Sequence, residues 1–392
     1  MASRDVRAPA RDLRYHTRVL GKHWWSALFA LALGASAFAP FGCGADSRAD
    51  RPADAADAAA EQPPPLPKAP PSGSEDAAVA SGPERLSATG LYADFASRTL
   101  TAGVVRFTPA HPLWADGAQK ERFILLPPGA KIDTSDMNAW VFPVGTKLWK
   151  TFRVDGTLVE TRFMWKRGAT PGSDSWWKAA YLWEADGSDA IVKPDGVPSA
   201  LGTTHDVPSQ TDCVYCHENV RDAAIGFSAF ELSSPRAGVT DAGADDAGTP
   251  PEGTGLLLSL AAQGDFTTPP SADFVVPGTG NVRDVLAYFH GNCGFCHKKD
   301  GKLEQQSALR LRLLTTDTTP EVTGAYTTPI HLKMRHVMAP DISEGVVPGQ
   351  PEKSQLYMRM ISDTVRMPPK GTKVVDPYGS GIVRDWILAL PP

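Results

Sequence analysis

Two stretches of the chain set a pair of thiols one turn apart with an imidazole directly after them. They are Cys213-Val-Tyr-Cys216-His217 and Cys293-Gly-Phe-Cys296-His297. Three chemistries use thiols at this spacing. In haem attachment, two thiols a helical turn apart reach the two vinyl groups of the macrocycle, and the next residue turns its imidazole toward the iron from the same side. Two Cys-x-x-Cys pairs can also give four thiolates to one zinc ion, although the chain from 217 to 292 makes a costly loop to close. A redox disulfide of the thioredoxin kind belongs in a βαβ setting, and neither stretch has one. Two matches in one chain favour two covalently attached c-type haems, with His217 and His297 as iron ligands.

The other cysteine and the N-terminus set the compartment. The chain has five cysteines, so Cys43 alone stands outside the two pairs and none is left for a structural disulfide. Arg4, Arg7, Arg11, Arg14, Arg18 and Lys22 precede an uncharged apolar run over 24–42. A basic start and a short apolar run make a secretory signal. The run ends in Gly42-Cys43-Gly44, which looks like a bacterial lipoprotein processing site, with Cys43 lipidated. Pro40 and Phe41 suit that site poorly, and an uncleaved anchor or a plain cleaved signal are the alternatives. All of them put the folded part outside the inner membrane, in the periplasm or cell envelope.

The motifs need elements to hold them. The chain is 392 residues long and 42% hydrophobic, enough for two or three domains with real cores. Its formal charge is −5; without residues 1–42 it keeps 33 basic and 42 acidic side chains, which argues against nucleic acid as a partner. Residues 43–85 are rich in Ala, Asp, Pro and Ser and read as a disordered tether. A similar stretch at 234–253 lies in an expected linker over 233–275. Between them, 86–232 reads as β-rich and sandwich-like. Apolar residues alternate on both sides of Asp155-Gly156 and again around Asp186-Gly187, each a hairpin signal. RFILLPPGAKI and WVFPVG add short strands, and seven of the ten Trp fall here as expected core. From 276 the period turns helical. Asn281 can cap a helix carrying Val282, Val285, Leu286 and Phe289 on one face. Asp376-Pro377 opens another, with a stripe of Ile382, Val383, Trp386, Ile387 and Leu390.

Ahead of that last helix, VRMPPKGT puts Met367 before two prolines that stiffen an extended loop. Met is a recognised second axial ligand beside His and raises the haem potential. The order helix, Cys-x-x-Cys-His, loops, Met-Pro-Pro, terminal helix resembles the cytochrome c domain over 276–392. That resemblance implies an all-α domain whose first and last helices cross beside the haem, with 348–360 as the helix before the Met loop. LYADFASRTL, HPLWADGAQKERF, FPVGTKLWKTF and VPSQTDCVYCH are similar, in order, to a family of exported bacterial di-haem c-type cytochromes in which a β-rich domain precedes the cytochrome domain. The fold class expected is therefore α+β. The family likeness names no substrate.

The first haem lacks an obvious distal ligand. Residues 218–233 contain no Met and no His, so that ligand comes from elsewhere or is missing. His111, His205, His290, His331 and His336 are the candidates. With both irons six-coordinate, the protein relays electrons between redox partner proteins and is tied to the membrane by its N-terminal lipid or anchor. With an open first haem it would be a di-haem peroxidase-like enzyme. A haem-bearing docking module is the third possibility.

Overall fold

Apolar alternation is strongest between residues 119 and 183, and there the chain forms the long strands of its main sheet. The computed structural model describes residues 82–234 and 255–392. The expected signal or anchor over 1–42, Cys43, most of the tether and the low-complexity stretch within the linker lie outside the described residues. A ribbon pairs β1 (Tyr92–Asp94) with β2 (Thr99–Leu100). Strands β3 (Val105–Phe107), β4 (Gln119–Leu125), β5 (Lys147–Val154), β6 (Thr157–Lys166), β7 (Trp176–Trp183) and β8 (Ala190–Val192) form one antiparallel sheet in chain order. The turns are the two expected: Asp155 and Gly156 both take positive φ between β5 and β6, as a tight primed turn requires, and Asp186-Gly187 joins β7 to β8.

Both faces of this sheet are covered. On one, Phe123, Trp149, Phe163, Tyr181 and Trp183 pack with residues of the ribbon, and Trp149 stacks on Phe163 across the strands with centroids 5.3 Å apart. On the other, Ile124, Leu148 and Met164 meet Phe142, Trp176 and Phe227. The covering layer on this second face is loops and short helices. The region is β-rich with two sheets, the second being only the two-stranded ribbon. WVFPVG, expected as a strand, contributes one bridge, Val141 to Asp133; Pro143 and Gly145 keep it from pairing further.

The helices are α1 (Gln210–His217), α2 (Ala229–Leu232), α3 (Leu257–Gln263), α4 (Gly280–Asn292), α5 (Gly324–Thr327), α6 (Gln355–Met360) and α7 (Pro377–Ala389). The architecture is α+β. Part of the expected linker is core: α3 buries Leu257 and Leu260, and Phe266 packs with them beside Ile132. Helix α4 opens behind Thr279, two residues before the expected cap, and Asn281 instead donates to the Ile382 carbonyl of α7 at 3.1 Å. Helix α7 starts as its sequence indicates, with the Asp376 carboxylate capping Gly379 N at 3.0 Å and Pro377 in the first turn. The stripes of α4 and α7 meet through Phe289 and Trp386, edge to face at 84°. Among the described residues no helix is long and apolar enough to cross a membrane.

One buried ion pair fastens the segment after α1 to the sheet. Lys166 and Asp222 are both fully buried and bonded to each other. The Asp222 carboxylate also accepts from Phe142 N at 2.7 Å, Trp176 Nε1 at 3.1 Å and Gly172 N at 3.2 Å. Removing one partner of a buried pair costs about 3–5 kcal/mol because the other charge stays buried and alone. Asp222→Ala orphans the ammonium and three N–H donors together. Lys166→Met leaves the carboxylate three donors. Urea unfolding should therefore show Asp222→Ala losing about 3–5 kcal/mol and Lys166→Met losing less. Equal losses would mean that the N–H donors contribute nothing.

Candidate functional site

Helix α1 presents the first motif. A capping box starts it: Ser209 Oγ accepts from Asp212 N, and the Asp212 carboxylate accepts from Ser209 N, both at 3.2 Å. Gln210 Nε2 donates to the Lys178 carbonyl at 2.8 Å, tying the helix to β7. Cys213, Cys216 and His217 then fall on one face by the i, i+3, i+4 rule. His217 Nδ1 lies 2.5 Å from the Ala223 carbonyl oxygen. That contact fixes the proton on Nδ1 and leaves Nε2 as the nitrogen with a free lone pair. Ala223 is buried with φ 61°, a left-handed conformation that costs an Ala about 1–2 kcal/mol. The neighbouring Asp222 anchor holds it there.

The second motif is a turn at the end of α4. Cys296 N and His297 N both bond the Cys293 carbonyl, at 3.1 and 2.9 Å, so the thiols and the ring project together. His297 Nδ1 is buried with no hydrogen-bond partner. Burial holds both His217 and His297 rings down to about 4, in the neutral form that binds metal. Burial pushes all four thiols up, Cys293 and Cys296 to about 12. A redox-active or reactive cysteine has the opposite shift. Among the described residues, no group of three or more His, Cys, Asp or Glu gathers as metal ligands. The four thiols therefore do not converge on a zinc ion.

Both motifs open onto one cavity of about 1430 Å³, which also takes in Met367. A single-ligand pocket measures about 300–1,000 Å³, so this space exceeds one ligand. The two motifs also approach each other beside it. Asn219, two residues past His217, has its Nδ2 3.8 Å from Cys296 Sγ. Glu218 and Lys302 are ion-paired across the same junction. The volume, the paired thiols and the neutral imidazoles fit two haems.

The sheet gives the cavity a cationic wall. Arg122 of β4, Lys150 of β5 and Arg162 of β6 are directly paired across the strands, in one row on the cavity face. Lys178 lies nearby on β7. Like charges side by side on a sheet repel unless anions lie among them. Glu160 answers Arg162 at 2.7 and 3.1 Å, while burial pushes Glu231 up to about 7 against the pull of the His111 N–H and of Arg122. This row was not foreseen from sequence; its signal is a cation at inward positions of consecutive strands.

Met367 lines the cavity at its edge and is 37% exposed. Its loop is held from the β-rich part. The Asp116 carboxylate accepts from Lys373 N at 2.8 Å and Val374 N at 2.9 Å, and Trp114 Nε1 donates to the Val374 carbonyl at 3.2 Å. Of the histidine candidates, His111, His205 and His336 line the cavity and His290 and His331 do not. His290 Nδ1 accepts from Leu313 N at 3.1 Å, and exposed His331 faces Glu344 at 3.1 Å.

No protein-family model, curated protein or solved structure matches the chain.

The last turn of α4 touches the loop 109–116 at Gly291. A Cβ there would lie 2.2 Å from the His111 carbonyl oxygen and 3.0 Å from its Cβ. Overpacking of this kind costs about 1–3 kcal/mol. Gly291→Ala should lower stability by that amount in urea unfolding, whereas an unchanged midpoint would mean that the loop can move away from α4 freely.

Proposed function

We propose that the chain is an exported di-haem c-type cytochrome, of the bacterial family it resembles, that relays electrons between periplasmic or membrane redox partners. The opening of both Cys-x-x-Cys-His motifs onto one cavity carries this reading, with Asn219, just past the first, against Cys296 of the second. Cys213 and Cys216 attach one haem and Cys293 and Cys296 the other. His217 and His297 would hold the irons. Arg122, Lys150 and Arg162 neutralise carboxylates of the first haem. Residues 276–392 act as the cytochrome c domain, with Met367 as the distal ligand of the second haem. Cys43 carries the lipid that keeps the protein at the membrane.

Each haem, when bound, takes up and releases one electron at its iron. The protein's own part is to hold the ligands, exclude water and bring the two sites together. Asp116 and Trp114 position the Met367 loop against the rest of the fold.

The first test is the haem content by pyridine haemochrome after expression with c-type maturation machinery. Two haems per chain are expected, and one would leave a motif unfilled. Adding carbon monoxide to the reduced protein should leave the Soret band unmoved; a shift for about half the haem would replace the relay with an open-haem enzyme. Met367→Ala should keep both haems and lower the potential of one. Asp116→Ala should lower the same potential by less, because the loop loosens while the thioether stays.

A further inference from the structure

We propose that His111 is the distal iron ligand of the haem attached at Cys213 and Cys216. The proposal rests on the di-haem reading and completes it, since residues 218–233 offer that haem neither Met nor His.

Three histidines besides the motif residues line the cavity, and they differ in what their rings are free to do. His205 is buried, and its Nε2 is 2.7 Å from the Glu160 carboxylate. Only Nδ1 is left, hindered by the adjoining Cβ. His336 is exposed, and its carbonyl is held by Gln355 and Arg359, at α6 beside the second motif's half of the cavity. His111 has neither drawback. Its Nδ1 is buried without a hydrogen-bond partner, and the residue lines the cavity. His297 of the second motif likewise lines the cavity with Nδ1 buried and unpartnered. Burial holds His111 down to about 4, in the neutral form.

The backbone around His111 is fixed from α2 and from the end of α4. Ala110 N donates to the Glu231 carbonyl at 2.8 Å, and His111 N donates to the Glu231 carboxylate at 2.9 Å. Both bonds tie it to the segment that follows the first motif. On the other side Gly291 lies against its carbonyl, and Asn292 accepts from Trp114 N at 2.7 Å. A ligand held from both sides needs little ordering on binding.

The test uses the full chain with both haems, normalised to pyridine haemochrome and read by ferric electron paramagnetic resonance and by carbon monoxide binding to the reduced form. Expected for His111→Ala is two haems per chain, with about half the haem turned high-spin and reactive toward carbon monoxide. Added imidazole should return that half to low spin. The change should add to that of Met367→Ala, so that the double variant opens both haems, and His205→Ala should open neither. A low-spin, unreactive His111→Ala with two haems overturns the proposal. So does an effect on the haem that Met367→Ala already changes, or an opening caused by His205→Ala. Should His111→Ala fail to accumulate, His111→Met decides. A raised potential of one haem at full haem content supports ligation, and an unmoved potential overturns it. Fewer than two haems in the unaltered protein would instead overturn the di-haem reading beneath it.

Discussion

The Asp222 carboxylate is the fixed point of the molecule. It sits fully buried with Lys166 from the end of β6, and takes N–H groups from Phe142, Gly172 and Trp176. These donors come from the sheet and from the loops that cover it, so the pair joins the two layers. The next residue, Ala223, is held left-handed with its carbonyl on His217. Strain at a backbone position persists only where the surroundings over-determine it, and here the surrounding bonds do. The burial that stabilises the fold therefore also selects the tautomer of His217.

The second constraint is charge. A cavity between a sheet and a helical layer would ordinarily be lined by apolar side chains, as the neighbouring Ile124, Leu148 and Met164 are. The row Arg122, Lys150 and Arg162 breaks that pattern on the same face. Holding cations side by side at low dielectric is unfavourable without anions among them. Glu160 provides some of that compensation. Under the proposed function, haem carboxylates provide more, and the wall contributes to holding the cofactor as well as to the shape of its space.

Much of this was legible in the sequence. The two motifs, the hairpins at Asp155-Gly156 and Asp186-Gly187, the Asp376 cap and the stripe of α7 all follow from local spacing. The cationic row was not, and the reason is one residue. Beside the turn, Val154 opposes Thr157 and Arg153 opposes Leu158; beyond a bulge, Phe152 opposes Glu160 and Lys150 opposes Arg162. Without the bulge Lys150 would face Thr161, and a one-residue slip moves every later side chain to the other face. The meeting of Asn219 with Cys296 was equally hidden, because a contact so distant in sequence leaves no periodic trace. The packed stretch around α3 was misjudged for a different reason: the low-complexity run before it masks an apolar segment that is core once folded.

The β-rich part is tied to the helical part through its loops. A single loop, 109–116, reaches three places at once. It bonds Glu231 after the first motif, Asn292 at the end of α4, and the backbone of Lys373 and Val374 beyond Met367. Under the proposed function, that loop carries one distal ligand in His111 and steadies the other in Met367. A shift of the sheet relative to α4 would then disturb both irons together. Gly291 fits this arrangement, since any larger residue would push the loop off α4. Under the same reading, a redox centre that changes charge without changing shape would need ligands that do not move, and holding His111 and Met367 through one loop would meet that need.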